Sequence, residues 1–422
     1  MTPLHICIDA RLGEGQFGGV EQVVIGLAAA LSRLEDGDEQ YLFLVHREHD
    51  DWLRPYLGGP CRMLHTRRTY LNRRSRAIGR GLLERIPGIG IRFAVRPSDG
   101  TAEQAGADVI HFPIQTAFTT EIPSIYQPHD LQHLHLPELF SGWERSRREA
   151  IYRTHCERAE LVVAMTAWGR RDFIDSYGLP PAKVTVVPGG SVLREYPAPT
   201  AADLDRLRSR LSLPESFLLY PAQTWPHKNH ERLLQSLARV RDENGTVIPL
   251  ICPGKQTRHY RRIREEIERL GLAKTTSFPG FVNSLELRGL YELGTSLVFP
   301  SRFEGWGLPI CEAFDAGMPV ASSTATGLPD VVGDAGLLFD PNDVAEMASQ
   351  LHRIWTDERL RADLRDRGTR RSEEFSFDHT ARLWDTSVDD VATRICHIAS
   401  PALTATEWAY YFPALPYQPP CP

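Results

Sequence analysis

The sequence predicts an α/β protein with two doubly wound parallel sheets. Three observations lead to this class. Short apolar runs alternate with helical segments along the 422-residue chain. Most of these runs are apolar throughout, as in parallel strands covered on both faces, where one-sided strands would alternate. A stretch rich in proline and glycine near 190–215 divides the chain into halves, each long enough for its own sheet.

In the first half the expected strands are "LHICIDA", "YLFLVH", "DVIHFP", "IPSIYQ", "LVVAMT" and "VTVVPG". In the second they are "FLLYPA", "VIPLICPG", "SLVFPS", "MPVASS" and "GLLFD". Between the first two runs, Val20, Val23, Val24, Leu27, Ala28, Leu31 and Leu34 fall on one helical face. The break itself, "PGGSVLREYPAPTAADLDRLRSRLSLPES", reads as a linker carrying a polar helix. The closing "FPALPYQPPCP" reads as an extended tail.

Hydrophobic residues make up 42% and charged residues 24%, as in soluble globular proteins. No window of about 18 uncharged apolar residues suggests a membrane span, and no basic region ahead of "LHICIDA" suggests a signal peptide. The seven cysteines (Cys7, Cys61, Cys156, Cys252, Cys311, Cys396 and Cys421) are odd in number, widely spaced and free of C-x-x-C, so reduced thiols in a cytoplasm are expected. The net charge of −6 argues against a nucleic-acid partner. Between Arg62 and Arg96, however, ten arginines meet one acid, Glu84, giving that segment +9 and the rest of the chain −15. The segment reads either as a solvated basic loop or, with Leu71, Ile78, Leu82 and Leu83 interspersed, as a patch for an anionic acceptor or a membrane surface.

Residues 13–18, "GEGQFG", match the letters of a dinucleotide fingerprint. That fingerprint needs its first glycine at the end of the first strand and an acid about 20 residues on. Here the strand ends near Ile8 or Asp9, and Glu48 lies 35 residues past Gly13. NAD binding is therefore disfavoured. Gly18 and Gly19, at a helix start, still read as an anion cradle or as a plain turn.

Residues 299–320, "FPSRFEGWGLPICEAFDAGMPV", carry the main constellation. A strand is expected to end at Ser301, with Pro309 in a first helical turn and Gly317 at a helix end. Glu304 and Glu312 flank Gly305 and Gly307. Carboxylates accept hydrogen bonds from sugar or ribose hydroxyls, and amides at a helix start suit phosphate, so the pattern fits a nucleotide-sugar. Each glutamate alone could equally be a solvated surface charge or a partner of the helix dipole.

This stretch resembles the family 4 retaining glycosyltransferases of the GT-B fold, whose E-x7-E motif is matched by Glu304 and Glu312. "TGLPDVVGDAGLLFDPNDVAEMA", "FPGFVNSLELRGLYELG", "YQPHDLQHLHLPELFS" and "KVTVVPGG" continue the likeness over nearly the whole chain, most weakly at 50–100 and after 400. The resemblance implies two Rossmann-like domains, at 1–195 and 196–375. It also implies a crossover at 376–422, suggested by "FSFDHTARLW", that returns to the first domain. It implies that Glu304 stabilises charge at the anomeric carbon, that Lys228 in "PAQTWPHKNHERLL" neutralises the leaving diphosphate, and that His129, supported by Asp130, contacts the sugar. Glu312 would hold the ribose. Gly18, Gly19, Gly305, Trp306, Gly307, Leu308 and Val282 would complete the donor site. Where many members have an arginine before the lysine, this chain has Gln223, which leaves half of the usual cationic clamp missing, with Arg302 and His227 as candidates to compensate.

No paired-aspartate metal motif is evident. Asp9, Asp108 and Asp130 read as structural, and His133 and His135 lack a second ligand cluster, so metal-independent transfer without a cofactor is expected. The expected donor is GDP-mannose first and a UDP-sugar second. The acceptor would be a glycan, a lipid-linked sugar or a small hydroxyl compound. A non-catalytic nucleotide-sugar or glycan binder on the same fold and, more remotely, an NAD-dependent oxidoreductase are the alternatives.

Overall fold

A computed structural model describes residues 3–12, 18–35, 37–66 and 95–381. Fifteen strands are present among them. The first nine are β1 (His5–Asp9), β2 (Gln40–Val45), β3 (Cys61–His65), β4 (Arg96–Pro97), β5 (Val109–Phe112), β6 (Phe118–Thr119), β7 (Ser124–Tyr126), β8 (Leu161–Ala164) and β9 (Val184–Val186). The next six are β10 (Leu218–Leu219), β11 (Leu250–Pro253), β12 (Thr276–Gly280), β13 (Ser296–Phe299), β14 (Val320–Ser323) and β15 (Gly336–Phe339). They form a seven-stranded sheet in the order β3-β2-β1-β5-β7-β8-β9 and a six-stranded sheet in the order β12-β11-β10-β13-β14-β15. All pairings in both sheets are parallel, while β4 and β6 make a separate small ribbon.

The interior strands β8 and β13, each paired on both sides, are buried at every position. Two edge strands escape the apolar-run reading. β3 exposes Arg62, and β12 is only half-buried along its length. The strand expected to end at Ser301 stops at Phe299, which lengthens the loop before the helix Leu308–Asp315. The first helix, Gly19–Leu31, ends before Leu34 because its last turn tightens, with Arg33 and Leu34 bonding three residues back.

In each sheet the chain order reverses beside the first strand, at β1/β5 and at β10/β13. Ligands of such sheets bind at the carboxyl ends of the strands flanking that point. The two halves share one apolar cluster. It runs from Val24 and Leu27 through Val192, Leu193, Tyr196, Phe375 and Phe377 into the core around Phe299 and Phe314. At Ser376 the chain pairs with Ser191 of the first half. There the Phe377 ring fills space left by Gly26, where a Cβ would lie 2.1 Å from it. Arg33 bonds both Glu195 and Asp378, and Thr380 donates to the Pro188 carbonyl at 2.7 Å. The break at 190–215 is thus a packed connection, with Arg194 bound to Asp315 at 2.6 Å and Arg288 donating to the Tyr196 carbonyl at 2.7 Å.

Residues 382–422, with the proline-rich tail, lie outside the described residues, as do 67–94 of the basic segment and Gly13–Phe17 of "GEGQFG". The five described cysteines are buried free thiols, and burial pushes Cys7 up to about 12 and Cys61 to about 11. No described helix is long and apolar enough to cross a membrane.

Candidate active site

Four loops meet at the carboxyl ends of the strands. They follow β1 (reaching Gly18), β7 (His129), β10 (Gln223 to Lys228) and β13 (Glu304 to Gly307). At their centre Lys228 Nζ donates to Glu304 Oε1 at 2.5 Å, both side chains being largely buried. The lysine is held through its backbone, since its carbonyl accepts from the Tyr220 hydroxyl at 2.8 Å. The neighbouring Asn229 amide donates to the carbonyls of Pro300 and Pro341. The Thr326 hydroxyl brackets Glu304: it accepts from the Glu304 N–H at 3.0 Å and donates to the Glu304 carbonyl at 2.7 Å. A carboxylate and an ammonium held side by side this way can each face one of two opposite charges that separate next to the pair.

The first half supplies the facing wall. A Cβ on Gly305 would lie 2.1 Å from the His129 carbonyl oxygen, so only glycine permits this approach. His129 has φ +69° and bonds the Pro113 carbonyl through Nε2 at 2.8 Å. A carbonyl only accepts, so Nε2 carries the hydrogen. Burial lowers the imidazole's proton affinity, so Nδ1 is left as an acceptor. Asp130 takes a bond from the Gln132 N–H, and burial raises its pKa, Glu304 adding to the effect. Further bonds join the halves here, with Thr166 donating to the Gly305 carbonyl at 3.5 Å and the Trp168 N–H to Asp330 at 2.8 Å.

Glu312 does not share the environment of Glu304. It is 3% exposed and accepts from the Tyr291 hydroxyl at 2.6 Å, and burial raises its pKa to about 7. The two glutamates therefore occupy distinct settings, one ion-paired and one held by a phenol. The Trp306 ring packs edge-on against Phe375 at 5.0 Å, and a Cβ on Gly189 would lie 3.2 Å from its Nε1, so its side chain sits where the two halves join. Gly307 caps the helix that begins at Leu308. Val282 is buried beside Phe281, which is 72% exposed.

Gly18 has φ +55° and caps the helix Gly19–Leu31, and a Cβ there would come 3.2 Å from Gln223 Nε2, whereas Gly19 faces open space. The glycine turn of the first half thus meets the second half at the residue where the cation was expected. Neither suggested replacement supplies a free charge at that point. Burial holds His227 neutral, helped by Lys228, His230, Arg302 and Arg148, and Arg302 reaches toward Glu138 at 3.8 Å. Among the other sequence candidates, Asp9 pairs with Arg11 at 2.6 Å and Asp108 accepts from the His5 N–H. His133 and His135 go to separate acids, Glu149 and Asp172. Among the described residues no cluster of three metal-ligating side chains occurs.

Sequence reasoning missed Thr326, Tyr291 and Arg148. Thr326 is the first residue of the quoted "TGLPDVVGDAGLLFDPNDVAEMA" and was accessible from the motif. Tyr291 and Arg148 approach the site only through folding.

Comparison with known proteins gives matches to two family models, "Glycosyltransferase Family 4" over residues 17–193 and "Glycosyl transferases group 1" over 203–371. The chain is 27% identical to O-antigen chain mannosyltransferase B of Escherichia coli over 272 residues, covering 61% of this chain and 70% of that one. It is 29% identical over 279 residues to serotype-specific mannosyltransferase WbdA of E. coli, spanning only 34% of that longer protein. In fold it is similar to Anabaena Alr3699/HepE in complex with UDP and glucose (TM-score 0.67, 18% identity, 92% of this chain and 100% of that one). Sucrose-phosphate synthase from Thermosynechococcus elongatus matches equally well (TM-score 0.67, 18% identity, 93% and 100%).

Proposed function

We propose that this chain, which belongs to glycosyltransferase family 4 and has the GT-B fold, moves a hexose from a nucleoside-diphosphate sugar to a hydroxyl of a glycan acceptor with retention of configuration. The observation that carries this reading is the Lys228–Glu304 pair at 2.5 Å, at the switch points of two sheets and walled by the His129 loop. In the reaction the anomeric carbon–oxygen bond to the diphosphate breaks and a bond to the acceptor oxygen forms. The acceptor proton passes to the leaving phosphate oxygen. Lys228 and the amides near Gly305 and Gly307 take up the charge on the diphosphate, Glu304 faces the positive charge on the ring, and His129 Nδ1 accepts from a sugar hydroxyl. Glu312 holds the ribose diol. No metal or organic cofactor takes part.

Mannose from GDP-mannose is the first choice of donor, supported by the names of the two E. coli relatives. A UDP-sugar is the second, supported by the fold neighbour that holds UDP and glucose. We read the acceptor as a polysaccharide or a lipid-linked sugar, met by a cytoplasmic enzyme at a membrane surface through the basic segment Arg62–Arg96.

The test is release of nucleotide from a panel of GDP-mannose, UDP-glucose, UDP-N-acetylglucosamine and ADP-glucose, with and without EDTA, followed by NMR of the product anomer. GDP release that survives EDTA and an anomer matching the donor are expected. Failure to bind or turn over any nucleoside-diphosphate sugar would overturn the reading.

A further inference from the structure

Gln223 follows β10 at the edge of the cleft, and its backbone is fixed on both sides. The Ala222 N–H bonds the Pro253 carbonyl at 3.0 Å, and the Thr224 carbonyl accepts from the Thr257 hydroxyl at 2.6 Å. The side chain is fixed as well. Trp225 Nε1 bonds Gln223 Oε1 at 3.0 Å. An indole nitrogen only donates, so the amide oxygen must face the tryptophan and the amide nitrogen must face the other way. That nitrogen lies over Gly18, near enough that a Cβ there would stand 3.2 Å from it. Among the described residues no acceptor takes its two hydrogens. Trp225 is itself 49% exposed, so packing does not explain its position.

We infer that Gln223 is a donor-binding residue and Trp225 its positioning residue. The amide nitrogen of Gln223 donates to an oxyanion of the diphosphate between Gly18 and Lys228, and the indole of Trp225 forbids the amide flip that would turn an oxygen on it. The inference rests on the nucleotide-sugar reading above. It assigns this chain a diphosphate clamp with one cation and one neutral arm. A neutral arm contributes hydrogen bonding without adding charge, so grip on the released nucleoside diphosphate and its salt sensitivity are both lower than with two cations.

The test uses the full chain with whichever donor the panel identifies and its nucleoside diphosphate. Trp225→Phe keeps the aromatic ring and removes the donor. It should raise the donor KM about three- to tenfold with kcat within twofold. Gln223→Leu should raise KM more, and the double variant Gln223→Leu/Trp225→Phe should match Gln223→Leu alone, because the indole acts only through the amide. Gln223→Arg should tighten the nucleoside diphosphate about tenfold and steepen its salt dependence. If Trp225→Phe leaves KM unchanged, or raises it as much in the Gln223→Leu background as in the parent, the positioning role is overturned. If Gln223→Leu binds donor like the parent, the clamp is overturned while the nucleotide-sugar reading stands. If the parent protein binds no nucleoside diphosphate in a thermal-shift assay, it is the underlying reading that fails.

Discussion

Glu312 ties a single side chain to the pH behaviour of the whole chain. Burial raises its pKa from 4.5 to about 7, so the folded state holds a proton that the unfolded state releases. Stability from that proton is fully present below about pH 4.5 and is lost as pH rises through about 7. Glu312→Gln should therefore melt with the parent near pH 4.5 and above it at pH 8, by roughly 3 kcal/mol, as scanning calorimetry at the two values would show. If the carboxylate is the form that holds the ribose, donor KM should fall between pH 6 and 8 in the parent and stay flat in Glu312→Gln. At Glu304 the expectation is different, because its partner is a cation at 2.5 Å. Glu304→Gln should lower kcat by about 100-fold or more while nucleotide affinity stays within a few fold. Equal turnover in that variant would remove Glu304 from the mechanism.

Among the elements, the loops that meet across the cleft are constrained most tightly. Gly305 touches the His129 carbonyl so closely that Gly305→Ala must push the two loops apart. Catalytic efficiency should drop by about 100-fold, as displacements near 1 Å do at other sites, with stability lowered by about 1–3 kcal/mol from the overpacking. Gly142→Ala is the control, since a Cβ there meets nothing within 4 Å and the residue lies outside the site, and steady-state kinetics should be indistinguishable from the parent. The sequence revealed these loops unevenly. Glu304 and Gly305 were legible as part of two carboxylates around a glycine-bearing loop that opens a helix, and Lys228 through the resemblance carried by "PAQTWPHKNHERLL". The contact between Gly305 and His129, over 170 positions apart, has no local signature. Nor has the Tyr291 hydroxyl on Glu312, because the Leu-Tyr-Glu-Leu pattern around it reads as an ordinary amphipathic helix. Strands β3 and β12 were hidden because edge strands need not be apolar on both faces.

At the scale of the whole molecule, the shared apolar cluster and the return of the chain at Ser376 join the two sheets. Phe377 packs where Gly26 and Gly190 leave room, so Phe377→Ala should open a cavity at the junction. The cost should be about 3–5 kcal/mol, and if the halves melt as one unit a single calorimetric transition should shift down. Two transitions, with only one of them shifted, would show that the junction does not couple the halves.

The sequence by itself determined the class of fold, the two large parallel sheets and the acids, cation and glycines available for chemistry, because burial on both faces of a parallel strand and a helix start after a glycine leave local patterns. Only the tertiary structure decided which of those groups meet. It paired Glu304 with Lys228, gave Glu312 to Tyr291, left His227 neutral and turned the Gln223 amide toward Gly18. Such pairings depend on desolvation and on distances between loops far apart in the chain, and neither is written in local sequence.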